Sequence, residues 1–407
     1  MLALVLASCG PKTPPEAPLT PTAPAPEAPT PPQRAAVPAM PVEPATGPAA
    51  PNGVNPFAGA AFYIDPEYVK KVKGTAAPTP AQSALLKKME SFPTGLWLDS
   101  IERLPQIDAW LADAAKQSAN GKPVVPVFLV YDLPNRDCSA KASNGELSIE
   151  AGGEARYRTE FIDEIAKRFA AYPKQRIAVI LEPDSLPNIA TNLSVPKCAA
   201  SEDVYRASVA YAVAKLSLPN VFLYLDAAHA GWLGWDGNRT KMAAIYKEVL
   251  TQAGGVDRIA GFATNVSNYN ILSGDDGKKL EPSNPCPDEL TYVQKLSESL
   301  AAAGIKDKGF IIDTARNGKG GIRTRWGNWC NIKGAGLGER PRAAPVPLVH
   351  AYFWVKPPGD SDGVADPTQP RYDENCSSPD ASPGAPQAGQ WFQPYFLDLL
   401  VNANPPL

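Results

Sequence analysis

The sequence predicts an α/β fold whose parallel sheet curls into a barrel or a distorted barrel, and three observations point that way. Apolar runs at 95–98, 124–131, 177–182, 221–226, 259–265, 310–313 and 348–355 read as strands. Several are apolar without a break, as in strands buried on both faces of a parallel sheet. Helix-like stretches fall between most of them, at 159–171, 202–216, 240–251 and 288–303, with a last one at 390–402. Strands alternating with helices imply parallel pairing. About seven strands within residues 57–407 and no internal repeat fit one barrel better than two domains.

Ahead of this domain the chain reads differently. Met1-Leu-Ala-Leu-Val-Leu6 is a short apolar run, and Leu6-Ala-Ser-Cys9 is similar to a bacterial lipobox. Residues 1–9 are therefore expected to be a lipoprotein-type signal, with Cys9 lipidated and the mature protein exported. An ordinary signal peptide is the alternative, and the basic residues that normally precede the apolar run are missing. From Pro11 to Pro56, sixteen of forty-six residues are proline. A disordered linker over 10–56 is expected, because this composition cannot bury a core. In polyproline conformation it would reach roughly 140 Å.

Composition excludes several functions. With 39 Lys+Arg against 42 Asp+Glu, net charge −3, nothing favours nucleic acid or an anionic membrane. No apolar run is long enough to span a bilayer, so membrane contact is expected only through the lipid anchor. Two histidines, His229 and His350, and no cysteine pair at ligand spacing argue against a metal site, and no cofactor is expected. Besides Cys9 there are Cys138, Cys198, Cys286, Cys330 and Cys376, which allow two disulfides and one free thiol. A phosphate loop is absent from the sequence.

What remains is carboxylates at strand ends. Ile177-Ala-Val-Ile-Leu181 runs into Glu182-Pro-Asp184, where Pro183 removes a backbone donor and stops the ladder. The run 126–131 ends in Asp132-Leu-Pro-Asn-Arg-Asp137, and Val221-Phe-Leu-Tyr-Leu225 in Asp226-Ala-Ala-His229. Taken singly, Asp132, Asp137, Glu182, Asp184, Asp226, Asp313, Asp360 and Asp362 suit caps or ion pairs as well as catalysis. Their shared position at one end of a sheet is what suggests a site. Trp97, Trp232, Trp235, Trp326, Trp329 and Trp354 accompany them, and indole faces stack on sugar rings. Trp354, inside an apolar strand, is expected in the core. The glycines around Trp232, Trp235, Trp326 and Trp329 suggest rings left open to a ligand. Carboxylates with tryptophans in an exported chain point to glycoside hydrolysis.

At this point whole segments carry a resemblance. Tyr131-Asp-Leu-Pro-Asn-Arg-Asp-Cys138, Glu182-Pro-Asp-Ser-Leu186, Leu225-Asp-Ala-Ala-His-Ala-Gly-Trp-Leu-Gly-Trp235, Phe353-Trp-Val-Lys-Pro357 and Pro386-Gln-Ala-Gly-Gln-Trp-Phe392 occur in order. They resemble the signature segments of glycoside hydrolase family six, the cellobiohydrolases and endoglucanases of cellulose breakdown. The resemblance implies a distorted seven-stranded α/β barrel over 57–407, acting as a monomer on cellulose or another β-1,4-glucan with inversion. It makes Asp184 the general acid, Asp137 its neighbouring tuner and Asp362 the proposed base, a role that water relay contests. It also implies substrate contacts at Trp97, Tyr131, Ser143, Asp226, His229, Trp232, Trp235, Asn265, Trp329, Lys356 and Asp360. Its disulfides would pair Cys138 with Cys198 and Cys330 with Cys376. Loops 134–151 and 355–390 look full length, which favours a tunnel and cellobiose release over the endo-acting alternative. Asn135, the loop 273–287, Cys286 and Ser361 depart from the family pattern. A non-catalytic glycan-binding lipoprotein is the reading of another class, and it would be expected to have lost these carboxylates.

Overall fold

The computed structural model describes residues 38–118 and 121–407. Export segment 1–9, lipidation at Cys9 and most of the linker lie outside them. Eight strands form one sheet: β1 (Leu96–Leu98), β2 (Val127–Val130), β3 (Ile177–Leu181), β4 (Val221–Asp226), β5 (Gly261–Thr264), β6 (Gly309–Asp313), β7 (Arg342–Ala343) and β8 (Val349–Phe353). Their spatial order is β1-β2-β3-β4-β5-β6-β8-β7. Every pair is parallel except β8 with β7. The seven expected strands are all present, and β7 is an added antiparallel edge. Each residue of β3 and β4 is buried, which accounts for their unbroken apolar sequences.

Run 124–131 splits at Pro126, whose missing N–H cannot join a ladder. Val124–Val125 pairs instead with Ala61–Phe62 in a separate two-stranded sheet. The main sheet curls without closing. Its two sides meet at a seam where Gly95 N–H donates to Trp354 O (3.1 Å) and Trp97 Nε1 donates to Val355 O (3.1 Å). A Cβ on residue 95 would lie 2.3 Å from Val355 O, so only glycine permits this approach.

Helices Pro196–Leu216, Asp236–Gln252, Glu289–Ala302 and Gln393–Val401 cover the expected stretches. The expected helix 159–171 is the end of a longer run from Gly153 to Ala170, with a π turn at Tyr157–Ile162. Proline at the start of Pro196–Leu216 has no N–H to leave unpaired, so that helix begins earlier than 202.

The linker expected to continue to residue 56 is instead docked from residue 40 onward. Met40 N–H donates to the Glu154 carboxylate, and Arg158 donates to the carbonyls of Met40 (2.7 Å) and Pro41 (2.6 Å). Arg258 holds the carbonyls of Ala45 and Gly47, Ala45 N–H donates to Ala253 O, and Lys308 reaches Asn52. Proline-rich sequence lacks a core of its own, but its carbonyls still accept hydrogen bonds from a neighbouring domain.

Candidate active site

Because the strands run parallel, β2, β3, β4 and β6 release their carboxylates at the same end of the sheet. The backbone there is strained. Asn135, Asp137, Glu182, Asp184, Ala228, Asn265 and Ser267 all have φ between 48° and 61°, a left-handed conformation unusual for side chains other than glycine. These turns aim side chains into a cleft of about 1160 Å³. Trp97, Tyr131, Asp137, Ser143, Asp184, His229, Trp232, Trp235, Trp329, Lys356, Asp360 and Asp362 all line it.

Asp184 and Glu182, two residues apart, face opposite ways. Glu182 is fully buried away from the cleft, accepting from Asp132 N–H (3.2 Å), Leu133 N–H (3.3 Å) and Tyr157 OH (2.8 Å). It joins the loop after β2 to the π turn, and burial pushes its carboxyl up to about 7. Asp184 is half-buried and faces the cleft. Burial first, then the charges of Asp137 and Asp226, push it well above the usual carboxylate range.

Asp137 is buried and accepts from Tyr131 OH (2.6 Å) and from Ser143. Burial raises its carboxyl against the opposing pull of Tyr131 and Arg136. Arg136 stacks on the Tyr131 ring at 4.2 Å and donates to the carbonyls of Asp99, Tyr131 and Ser143, fixing this loop.

Asp362 sits among opposite charges. Its oxygens accept from Arg316 Nη1 (2.8 and 2.7 Å), Tyr269 OH (2.9 Å) and Asn331 N–H (2.8 Å), with Lys356 Nζ at 3.4 Å. Burial alone would raise it, but Arg316 and Lys356 hold it below the ordinary carboxylate value. A carboxylate so fully engaged is weakly basic.

The other expected residues divide. Lys356 also donates to Ser361 O and lies 5.8 Å from the Trp97 ring. Asp360 pairs with Lys71 at 3.0 Å. His229 accepts from Asn268 Nδ2 at Nε2 (3.0 Å), and burial holds its ring neutral, pushed down to about 3. Trp232 and Trp235 are fixed by Thr191 Oγ1 and Ser283 Oγ.

Two expectations are corrected. Asp226 does not line the cleft: it is buried behind Asp184, its Oδ2 accepting the backbone N–H of Asp184 (3.0 Å) and Ala228 (3.1 Å). Its place at the end of β4 lets it hold the turn that presents Asp184. Asn265 is wholly buried, with its amide donating to the carbonyls of Asn270 and Asp313. It braces the floor and does not line the cleft.

Trp354 is buried as expected. Trp326 is largely buried because Gly231 and Gly277 make room for its ring, yet it still lines the cleft. A Cβ at either glycine would lie 2.8 or 2.3 Å from the ring. Asn188, Thr191, Asn192, Asn268 and Arg371 line the cleft without having been singled out. Asn188 and Thr191 lie one and two turns after Asp184 on the helix Ser185–Thr191, a spacing that could have revealed them. Cys138–Cys198 and Cys330–Cys376 are both bonded, and Cys286 is free and buried.

Residues 57–403 match the family Glycosyl hydrolases family 6. The chain belongs to that family. Glycosyl hydrolases family 6 relatives include 1,4-beta-D-glucan cellobiohydrolase C of Emericella nidulans, 43% identical over 364 residues (86% of this chain, 79% of the relative). Exoglucanase 2 of Hypocrea jecorina is 41% identical over 355 residues (86% and 75%). Among solved structures, the catalytic core of the cellobiohydrolase Cel6A from Chaetomium thermophilum superposes with a TM-score of 0.83. It is 41% identical and is matched over 86% of this chain and 99% of that one. Cellobiohydrolase II (Cel6A) from Humicola insolens, in complex with glucose and cellotetraose, gives 0.84 at 38% identity (87% and 100%). Its neighbours in the family bear out the α/β half-barrel.

Proposed function

We propose that this glycosyl hydrolases family 6 enzyme hydrolyses β-1,4-glucosidic bonds of cellulose with inversion, working from chain ends and releasing cellobiose. The observation that carries the reading is Asp184: a carboxyl facing a tryptophan-lined cleft and kept protonated by burial and by Asp137 and Asp226. A neutral carboxyl there donates its proton to the departing glycosidic oxygen. Water attacks the anomeric carbon from the other face, as inversion requires. Asp137, whose carboxylate accepts from Tyr131 OH and Ser143, is the group assigned here to receive that water's proton by relay. Asp362, held anionic by Arg316 and Lys356, contributes fixed negative charge near the developing oxocarbenium ion more readily than it takes a proton. The names of the relatives, cellobiohydrolases and exoglucanases, support end-directed action.

Trp97, Trp329, Trp232 and Trp235 supply stacking surfaces along the cleft. Two disulfides support an exported, oxidising setting. Anchoring through Cys9 and a monomeric state belong to the same proposal, the first resting on Leu6-Ala-Ser-Cys9 alone.

The test is product formation on cellulose with Asp184→Ala alongside the native chain. The native enzyme should release mainly cellobiose, and the variant should lose about 10²–10⁴-fold in kcat while still binding cello-oligosaccharides. Near-normal turnover by the variant would remove Asp184 from the acid's role.

A further inference from the structure

The two loops flanking the catalytic carboxylates are joined to each other by one buried side chain. Asp373, in the loop after Asp362, is 3% exposed. Its Oδ1 stays within its own loop, accepting from Asn375 N–H (3.0 Å) and Asn375 Nδ2 (2.9 Å), and so caps the turn Glu374–Ser377. Its Oδ2 crosses to the loop after β2, accepting from Lys141 N–H (2.8 Å) and Ala142 N–H (3.3 Å). Arg371 adds a second crossing, Nε to Ala142 O (2.6 Å).

The disulfides do not make this connection. Cys138–Cys198 ties the first loop to the helix Pro196–Leu216, and Cys330–Cys376 ties the second to the segment around residue 330. Neither bridge runs from one loop to the other, which leaves the crossing to Asp373 and Arg371. Ser139, Ala140 and Ser143 from one loop and Asp362, Arg371 and Gly389 from the other line the same cleft, so the crossing joins two of its walls. Ser143, next to the clasped Ala142, is the residue bonded to Asp137. Burial pushes the Asp373 carboxyl up, but the amides of Lys141 and Asn375 outweigh it and hold it below the usual value, so the charge is present at neutral pH.

We propose that Asp373 is a specificity-determining residue whose carboxylate clasps the two loops over the cleft, so that a glucan chain must enter end-first. This rests on the end-acting reading above. With the clasp broken, the loops part and admit the middle of a chain.

The test compares native enzyme, Asp373→Ala, Arg371→Ala and Asn375→Ala on cellulose. It reads the ratio of soluble to insoluble reducing ends, with amide hydrogen exchange at Lys141 and Ala142 as a second readout. Losing one charge-assisted bond shifts an open–closed equilibrium by about tenfold. Asp373→Ala is therefore expected to lose protection at both amides and several-fold in the ratio. Asn375→Ala, which touches only the local cap, should keep both. A folded Asp373→Ala with the native ratio overturns the inference and leaves the end-acting reading intact. Should Asp373→Ala fail to fold, Arg371→Ala carries the same expectation without disturbing the cap, and its native ratio overturns the inference equally. A native enzyme that itself cuts mostly within chains overturns the end-acting reading, and the clasp's role falls with it.

Discussion

Asp184 and Asp362 line the same cleft as the same side chain, and their surroundings drive them to opposite charge states. Around Asp184 the close charges are carboxylates, Asp137 and Asp226, so the proton stays on. Around Asp362 they are Arg316 and Lys356, so it stays off. Burial acts on both in the same direction. The sign of the neighbour decides the result, and one fold thereby holds an acid and an anion within one cavity.

Removing the cation from the second pair should have the largest effect on stability. Arg316→Ala leaves Asp362 buried with Lys356 as its remaining cation, and a loss of about 3–5 kcal/mol is expected from the denaturant midpoint. A loss below about 1 kcal/mol would mean that Lys356 and Tyr269 hold the charge without it.

Removing the anion from the first pair tests the other half. Asp137→Asn should lower kcat by about 10²-fold. With a like charge gone, Asp184 ionises more easily, so the alkaline limb of kcat/KM should move to lower pH. An unmoved limb would assign the raised pKa of Asp184 to burial and Asp226.

A further effect is spread over the whole molecule. Glu182 and Asp226 are pushed up to about 7, Glu289 to about 8 and Asp132 to about 9, in each case by burial first. Unfolded carboxyls have lost their protons above about pH 5. Near neutrality the native state thus binds more protons than the unfolded chain, and stability should fall as pH rises from about 6.5 to about 8. Each such proton contributes at most about 1.4 kcal/mol per pH unit. His229 and His350, held neutral by burial, oppose this only at lower pH, where unfolded histidine is charged. A melting temperature that rises across the interval would show these carboxyls to be ionised in the fold.

The strands were legible because both their faces are buried, which writes itself as unbroken apolar sequence. The helix Gln106–Gln117 was equally legible, since Ile107, Trp110, Leu111 and Ala114 form a buried stripe at helical spacing, yet it went unread among the strand signals. The strand-end aspartates could be found by position, but their division of labour could not, because it depends on residues far off in sequence. Arg316 meets Asp362 from 46 positions away. Nothing in Asp226-Ala-Ala-His announces that Ala228 adopts a left-handed backbone, and nothing in the loop around Asp373 distinguishes a clasp from any solvated acid.

The docked segment 38–56 changes where a load would be borne. Family resemblance begins at residue 57, near the first strand pair. A pull from the N-terminal side of residue 38, however, meets Glu154 and Arg158 beside the π turn first, then Arg258 and Lys308 in sequence. Tyr157, adjacent to Arg158, holds Glu182, two residues from Asp184. Strain applied there is taken up by a series of bonds before it reaches the sheet, and a chain trimmed to residue 57 would deprive Arg158, Arg258 and Lys308 of these carbonyl and amide partners.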